Sequence, residues 1–116
     1  MIYKITSLKT FFIMILLFSS LLSSNEIIVI DVRSFEEVKT GVIQDAIHIE
    51  WTKIEEEITN LDISKEQPIY LYCRSGNRSG KATKILEKIG YTNAINAGGI
   101  KEAAKKLDKK IVNYSE

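Results

Sequence analysis

Cysteine and histidine each occur once in this 116-residue chain, and arginine occurs only as Arg33, Arg74 and Arg78. Each scarcity excludes something. A single cysteine cannot close an internal disulfide, so the even-numbered bridges that hold many small secreted chains together are ruled out. A structural zinc site needs a full set of cysteine or histidine ligands and is excluded on the same grounds. His48 lies far from Cys73 in sequence, which leaves a cysteine–histidine hydrolase poorly supported and makes His48 a structural residue at a strand end. The net charge of +1 provides no broad basic field for nucleic acid. Low-complexity linkers and internal repeats are missing too, and the length suits one domain.

Long apolar runs are absent except at the front. Met1 to Asn25 begins with Lys4 and Lys9, continues through the apolar run Phe11 to Phe18 and ends in the serine-rich stretch Ser19 to Ser24. That order is a secretory signal peptide. Extended to Leu22, the apolar segment is about 12 residues, against the roughly 20 that cross a bilayer as a helix. The expectation is therefore a signal peptide over residues 1–24 and a folded domain over residues 25–116, in the periplasm or secreted. Leu21 and Leu22 stand where a cleavage signal places small residues, so the alternative is an uncleaved anchor facing outside the cytoplasm. Membrane contact is confined to that segment in either case. A lone cysteine in such a chain is a buried thiol, an intermolecular partner or a reactive group, and composition alone favours the first.

The rest alternates strands with helices. Ile27 to Ile30 is a β-branched run suited to a strand covered on both faces, closed by Asp31-Val32-Arg33. Ser34 with Glu37 forms a capping box that starts a short helix through about Lys39, and Gly41 ends it. Ala46 to Ile49 reads as a second strand, and Ile54, Ile58 and Leu61 recur at helical spacing. Pro68 opens the run Ile69 to Tyr72, a central strand with Cys73 at its carboxyl end. Ser79 to Ile89 carries Ala82, Ile85, Leu86 and Ile89 on one helical face, with Ser79 the expected N-cap. Ala94 to Ala97 reads as another strand, and Gly98-Gly99 leads into a lysine-rich helix from Ile100 to Leu107. This alternation predicts an α/β class with a mostly parallel sheet and helices on its faces, where ligands collect at the carboxyl ends of strands.

The segment Cys73-Arg74-Ser75-Gly76-Asn77-Arg78-Ser79-Gly80 runs from a strand end into a helix start. Several backbone N–H groups can converge there on whatever the sulfur carries, aided by the helix N-terminus and by Arg74 and Arg78. All of these favour thiolate over thiol and make Cys73 nucleophilic. Ser75 and Ser79 can add hydroxyl donors, while Gly76 and Asn77 tolerate the backbone angles of a tight reversal.

Four stretches together resemble a known family: Ile30-Asp31-Val32-Arg33; Gly41-Val42-Ile43 with Ala46 to Ile49; Cys73 to Ser79; and Gly98-Gly99-Ile100. The chain is similar to single-domain rhodaneses, most of all to the small periplasmic ones of the phage-shock-protein E type. The resemblance implies a three-layer α/β/α domain and a sulfurtransferase that carries sulfane sulfur as a Cys73 persulfide. The donor it implies is thiosulfate, the acceptor cyanide or another thiophile such as a cellular thiol, and neither metal nor organic cofactor is needed. Carried onto this sequence, the N–H groups of Arg74 through Ser79 cradle the sulfur, Arg74 and Arg78 orient the anionic donor, and Asp31 and Arg33 brace the domain beside the site. The chain departs from the family at Val42, where histidine is frequent, at Asp45, where glycine is frequent, and at Ile100-Lys101-Glu102, where an aromatic residue is frequent.

Two alternatives stay open. One is a persulfide carrier or binding module that acts on a protein partner. The other is a phosphatase or arsenate reductase of related fold. Those enzymes place five residues between cysteine and arginine, whereas four separate Cys73 from Arg78 and the position they need is Ser79. The loop is sized for sulfur rather than for a tetrahedral oxyanion.

Overall fold

The structure is a computed structural model and describes residues 26–115. The expected signal peptide over residues 1–24 lies outside the described residues. Ile28–Asp31 forms β1, Ile47–His48 β3, Ile69–Cys73 β4 and Ala94–Gly99 β5. They make one sheet in the order β3-β1-β4-β5, with every neighbouring pair parallel. Helices α1 (Phe35–Val38), α2 (Ile54–Ile58, after a 3-10 turn at Trp51–Lys53), α3 (Asn77–Lys88) and α4 (Ile100–Leu107) connect and cover these strands.

Alternation along the strands divides the core between the two faces of the sheet. Ile30, Ile69, Leu71 and Cys73 pack with Ile54 and Ile58 of α2 and Ala82 and Leu86 of α3. Val29 and Tyr72 point the other way and pack with Ala97 and with Ala103 of α4. Burial on both faces is what an unbroken β-branched run requires, and each buried Leu or Ile side chain contributes roughly 1.5–3 kcal/mol. The domain is therefore three-layered around this parallel sheet, and the central strand β4 delivers Cys73 to the carboxyl edge.

A second, two-stranded sheet has no local sign in the sequence. Val42–Ile43 (β2) pairs antiparallel with Ile111–Val112 (β6). The Ile43 N–H also donates to the Tyr72 hydroxyl at 3.0 Å, which ties this small sheet to β4. Val42 is buried within it. Asp45, at the position where the family often has glycine, takes a left-handed φ of 68°. Aspartate is among the few side chains that tolerate that conformation.

Asp31 and Arg33 pair with each other at the end of β1. Both are buried. Arg33 Nε donates to Asp31 Oδ1 at 3.0 Å, and its terminal nitrogen donates to Asp31 Oδ2 at 2.7 Å and to the Gly41 carbonyl at 2.6 Å. The guanidinium thus fastens the end of β1 to the chain that leaves α1. Arg33→Met strands a buried carboxylate and is expected to lower the unfolding free energy by about 3–5 kcal/mol. Urea denaturation measures this, and a loss below about 1 kcal/mol, the value of a surface pair, contradicts the assignment.

Candidate active site

Cys73 is fully buried at the end of β4, and α3 begins four residues later at Asn77. The turn between them is possible because Gly76, the N-cap of α3, takes a left-handed φ of 100°. Gly99, which pairs with Cys73 across the sheet, leaves room on the other side: a Cβ there would lie 2.6 Å from the Arg74 carbonyl oxygen. The N-cap of α3 is Gly76, three residues earlier than the Ser79 the sequence suggests. Ser79 is therefore inside the first turn instead of capping it, because the left-handed Gly76 turns the backbone into the helix first.

That displacement places Ser79 against the sulfur. Cys73 Sγ accepts from the Gly76 N–H at 3.0 Å and from the Ser79 N–H at 3.4 Å, and it lies 3.3 Å from Ser79 Oγ. Burial pushes the Cys73 thiol up. Hydrogen bonding at Ser79 and from the backbone N–H groups of Ser75 and Gly76 outweighs it, and the thiol sits below its ordinary value. The arrangement can hold a thiolate and any further sulfur bonded to it, because the donors aim at the position where negative charge resides.

The remaining residues expected at the site divide into two groups. Arg74 and Ser75 on the loop and Asn77 at the start of α3 are exposed, and Arg74 makes no ion pair among the described residues. Arg78 is instead engaged. Its two terminal nitrogens meet Glu37 Oε1 at 2.6 Å and Oε2 at 2.9 Å, a fork-to-fork pair between α3 and α1. Arg78 therefore contributes positive field near the sulfur while its hydrogen-bonding edge faces Glu37. Beside the loop opens a cleft of about 710 Å³ whose lining includes Arg33, Glu37, Arg74, Gly99, Lys101 and Glu102.

The rhodanese-like domain family matches residues 17–115 of the chain. The chain belongs to the rhodanese-like sulfurtransferase family. Thiosulfate sulfurtransferase PspE of Escherichia coli (strain K12) is 39% identical over 75 residues, which cover 65% of this chain and 72% of that protein. Among solved structures, a rhodanese with anions from E. coli is similar with a TM-score of 0.70 and 34% identity, covering 77% of this chain and 100% of that one. A rhodanese-like domain protein from Staphylococcus aureus has a TM-score of 0.64 and 30% identity, covering 85% and 92%.

Two residues of this rhodanese-like domain that shape the loop carry no sequence signal for that role. Glu37 is legible only as the capping-box partner of Ser34, a contact it does make. Its pairing with Arg78 joins residues 41 apart. Asn96, on β5, accepts from the Ser79 hydroxyl at 2.7 Å. Among the described residues no group of three or more His, Cys, Asp or Glu side chains is placed to hold a metal, and no helix is long and apolar enough to cross a membrane.

Arg78 beside Glu37 holds that carboxyl at about 2, against 4.5 ordinarily. Because the folded value is the lower one, the pair's stabilisation is complete above the ordinary value and is lost as the pH falls toward the folded one. The difference in urea midpoint between wild type and Glu37→Gln is expected to be full at neutral pH and to shrink from about pH 4.5 to about pH 2. A difference that does not change over that range contradicts the pairing.

Proposed function

We propose that this rhodanese-like domain moves sulfane sulfur from thiosulfate to cyanide or a cellular thiol through a persulfide on Cys73. The observation that carries the reading is a buried sulfur that accepts from both the Gly76 and the Ser79 backbone N–H groups. In the first half-reaction the Cys73 thiolate attacks the outer sulfur of thiosulfate. A new S–S bond forms, the bond to the sulfonate sulfur breaks, and sulfite leaves with that bond's electron pair. In the second, cyanide attacks the outer sulfur of the persulfide, thiocyanate leaves and the Cys73 thiolate returns. Charge balances in both steps, and sulfur itself is the nucleophile and the leaving atom, so the cycle closes without a metal or an organic cofactor.

Within this reading the backbone from Arg74 to Ser79 cradles the outer sulfur, since a helix N-terminus and its free N–H groups suit an anion. Arg74 supplies the unpaired cation for the sulfonate end of the donor, and Arg78 adds field from its pair with Glu37. The similar rhodanese from E. coli is described with anions, in keeping with a loop of this kind. The sequence order of residues 1–24 supports work outside the cytoplasm, in the periplasm or as a secreted or anchored domain. A phosphatase reading is less well supported, because the arginine of the loop is one residue early and its fork is occupied by Glu37.

Mass spectrometry of the protein after exposure to thiosulfate is expected to show a gain of one sulfur atom, lost again on addition of cyanide with release of thiocyanate. Cys73→Ser is expected to show neither. A wild-type protein that takes up no sulfur contradicts the proposal. Arg74→Ala is expected to raise KM for thiosulfate about tenfold, the value of one hydrogen bond to a charged group, with an unchanged unfolding midpoint. Equal KM values remove Arg74 from the site.

A further inference from the structure

Asn96 lies on β5 within reach of the Cys73 loop and does not touch the sulfur. The pairing of β4 with β5 sets Leu71 against Asn96 and then Tyr72 against Gly98, so Ala97 is an extra residue in β5. Such a bulge bends the strand and re-aims the neighbouring side chain. The Asn96 carboxamide makes three hydrogen bonds. Nδ2 donates to the Gly76 carbonyl at 3.0 Å, and Oδ1 accepts from the Ser79 hydroxyl at 2.7 Å and from the Gly98 N–H at 3.0 Å. A carbonyl only accepts and a backbone N–H only donates, so Gly76 and Gly98 between them fix which way the amide faces.

A second feature of the sequence fits the same carboxamide. Gly80 lies in the first turn of α3 with no left-handed φ to require glycine, and glycine in a helix is unfavourable relative to alanine. A Cβ at Gly80 would lie 3.2 Å from Asn96 Nδ2, its nearest neighbour. The missing side chain leaves the space that the amide fills.

We infer that Asn96 is a positioning residue for Cys73, whose carboxamide holds Gly76 and Ser79, the two residues that present N–H groups to the sulfur, in the arrangement that stabilises the thiolate. It acts through those residues and contacts no reacting atom. The charged groups around the sulfur are Arg74 on the loop, Arg78 on α3 with Glu37 on α1, and the Asp31–Arg33 pair after β1. Neither test substitution below alters any of them, so a shift in the thiol's titration reports the hydrogen-bonded frame.

The test follows alkylation of Cys73 by iodoacetamide across a pH series in wild type, Asn96→Ala and Gly80→Ala, with the melting temperature of each. Both variants are expected to titrate at higher pH, with alkylation at neutral pH slowed about tenfold, the value of one backbone N–H bond to the thiolate lost when Gly76 or Ser79 shifts. Gly80→Ala is expected to melt no lower than wild type, which separates the effect from loss of fold. In single-turnover sulfur uptake both are expected to react more slowly at an unchanged half-saturating thiosulfate concentration, because Arg74 is untouched. A Gly80→Ala titration that stays in place or moves to lower pH overturns the inference, whatever Asn96→Ala does to folding. The uptake measurement rests on the proposed sulfur transfer and the titration does not. Absence of uptake in wild type beside shifted titrations overturns the sulfur-transfer reading and supports the role of Asn96.

Discussion

Two backbone N–H groups, those of Gly76 and Ser79, point at one buried sulfur, and the rest of the site depends on that convergence. Burial alone favours the neutral thiol, and the hydrogen bonds reverse the balance. The convergence requires a strand to end and a helix to begin within four residues, with a left-handed glycine between them. The parallel sheet meets the first requirement by burying β4 between β1 and β5 up to its last residue. Gly76 meets the second.

Arginine, scarce in the chain, does three different jobs. Arg33 is buried against Asp31 and the Gly41 carbonyl and serves the fold. Arg78 is locked to Glu37 and joins α3 to α1 across the mouth of the site. Arg74 is left exposed on the loop, without an ion pair among the described residues. A planar fork suits the first two positions, where two oxygens are met at once and a lysine could not reach both in a fixed geometry. Grouping Arg74 with Arg78 as equivalent donor contacts therefore merges two electrostatic roles that the structure separates.

The parts legible in the sequence are those written in local pattern. The β-branched run around Val29 gives β1, the apolar and aromatic run around Leu71 gives β4, the capping box of Ser34 and Glu37 gives α1, and the spacing from Ile100 to Leu107 gives α4 with the bounds observed. The place of Cys73 at a strand end was legible for the same reason. What stayed hidden is set by contacts between distant segments. Val42 and Ile43 are too short a run to announce a strand, and they become one only when Ile111 and Val112 arrive from the far end of the chain. The sequence points to Ser79 as the start of α3 because serine is the commoner N-cap, whereas Gly76 performs that role through its backbone angle. Asn96 looked like one polar residue in a strand, and only the bulge at Ala97 brings it to Gly76 and Ser79.

The central claim is that the loop favours the Cys73 thiolate although the sulfur is buried. Ultraviolet absorbance of the thiolate, followed across a pH series in the intact protein with Cys73→Ser as the blank, reads that claim directly. The account predicts a single transition centred below the ordinary cysteine value of about 8.5. A transition centred at or above that value would contradict it, because burial would then have outweighed the hydrogen bonds.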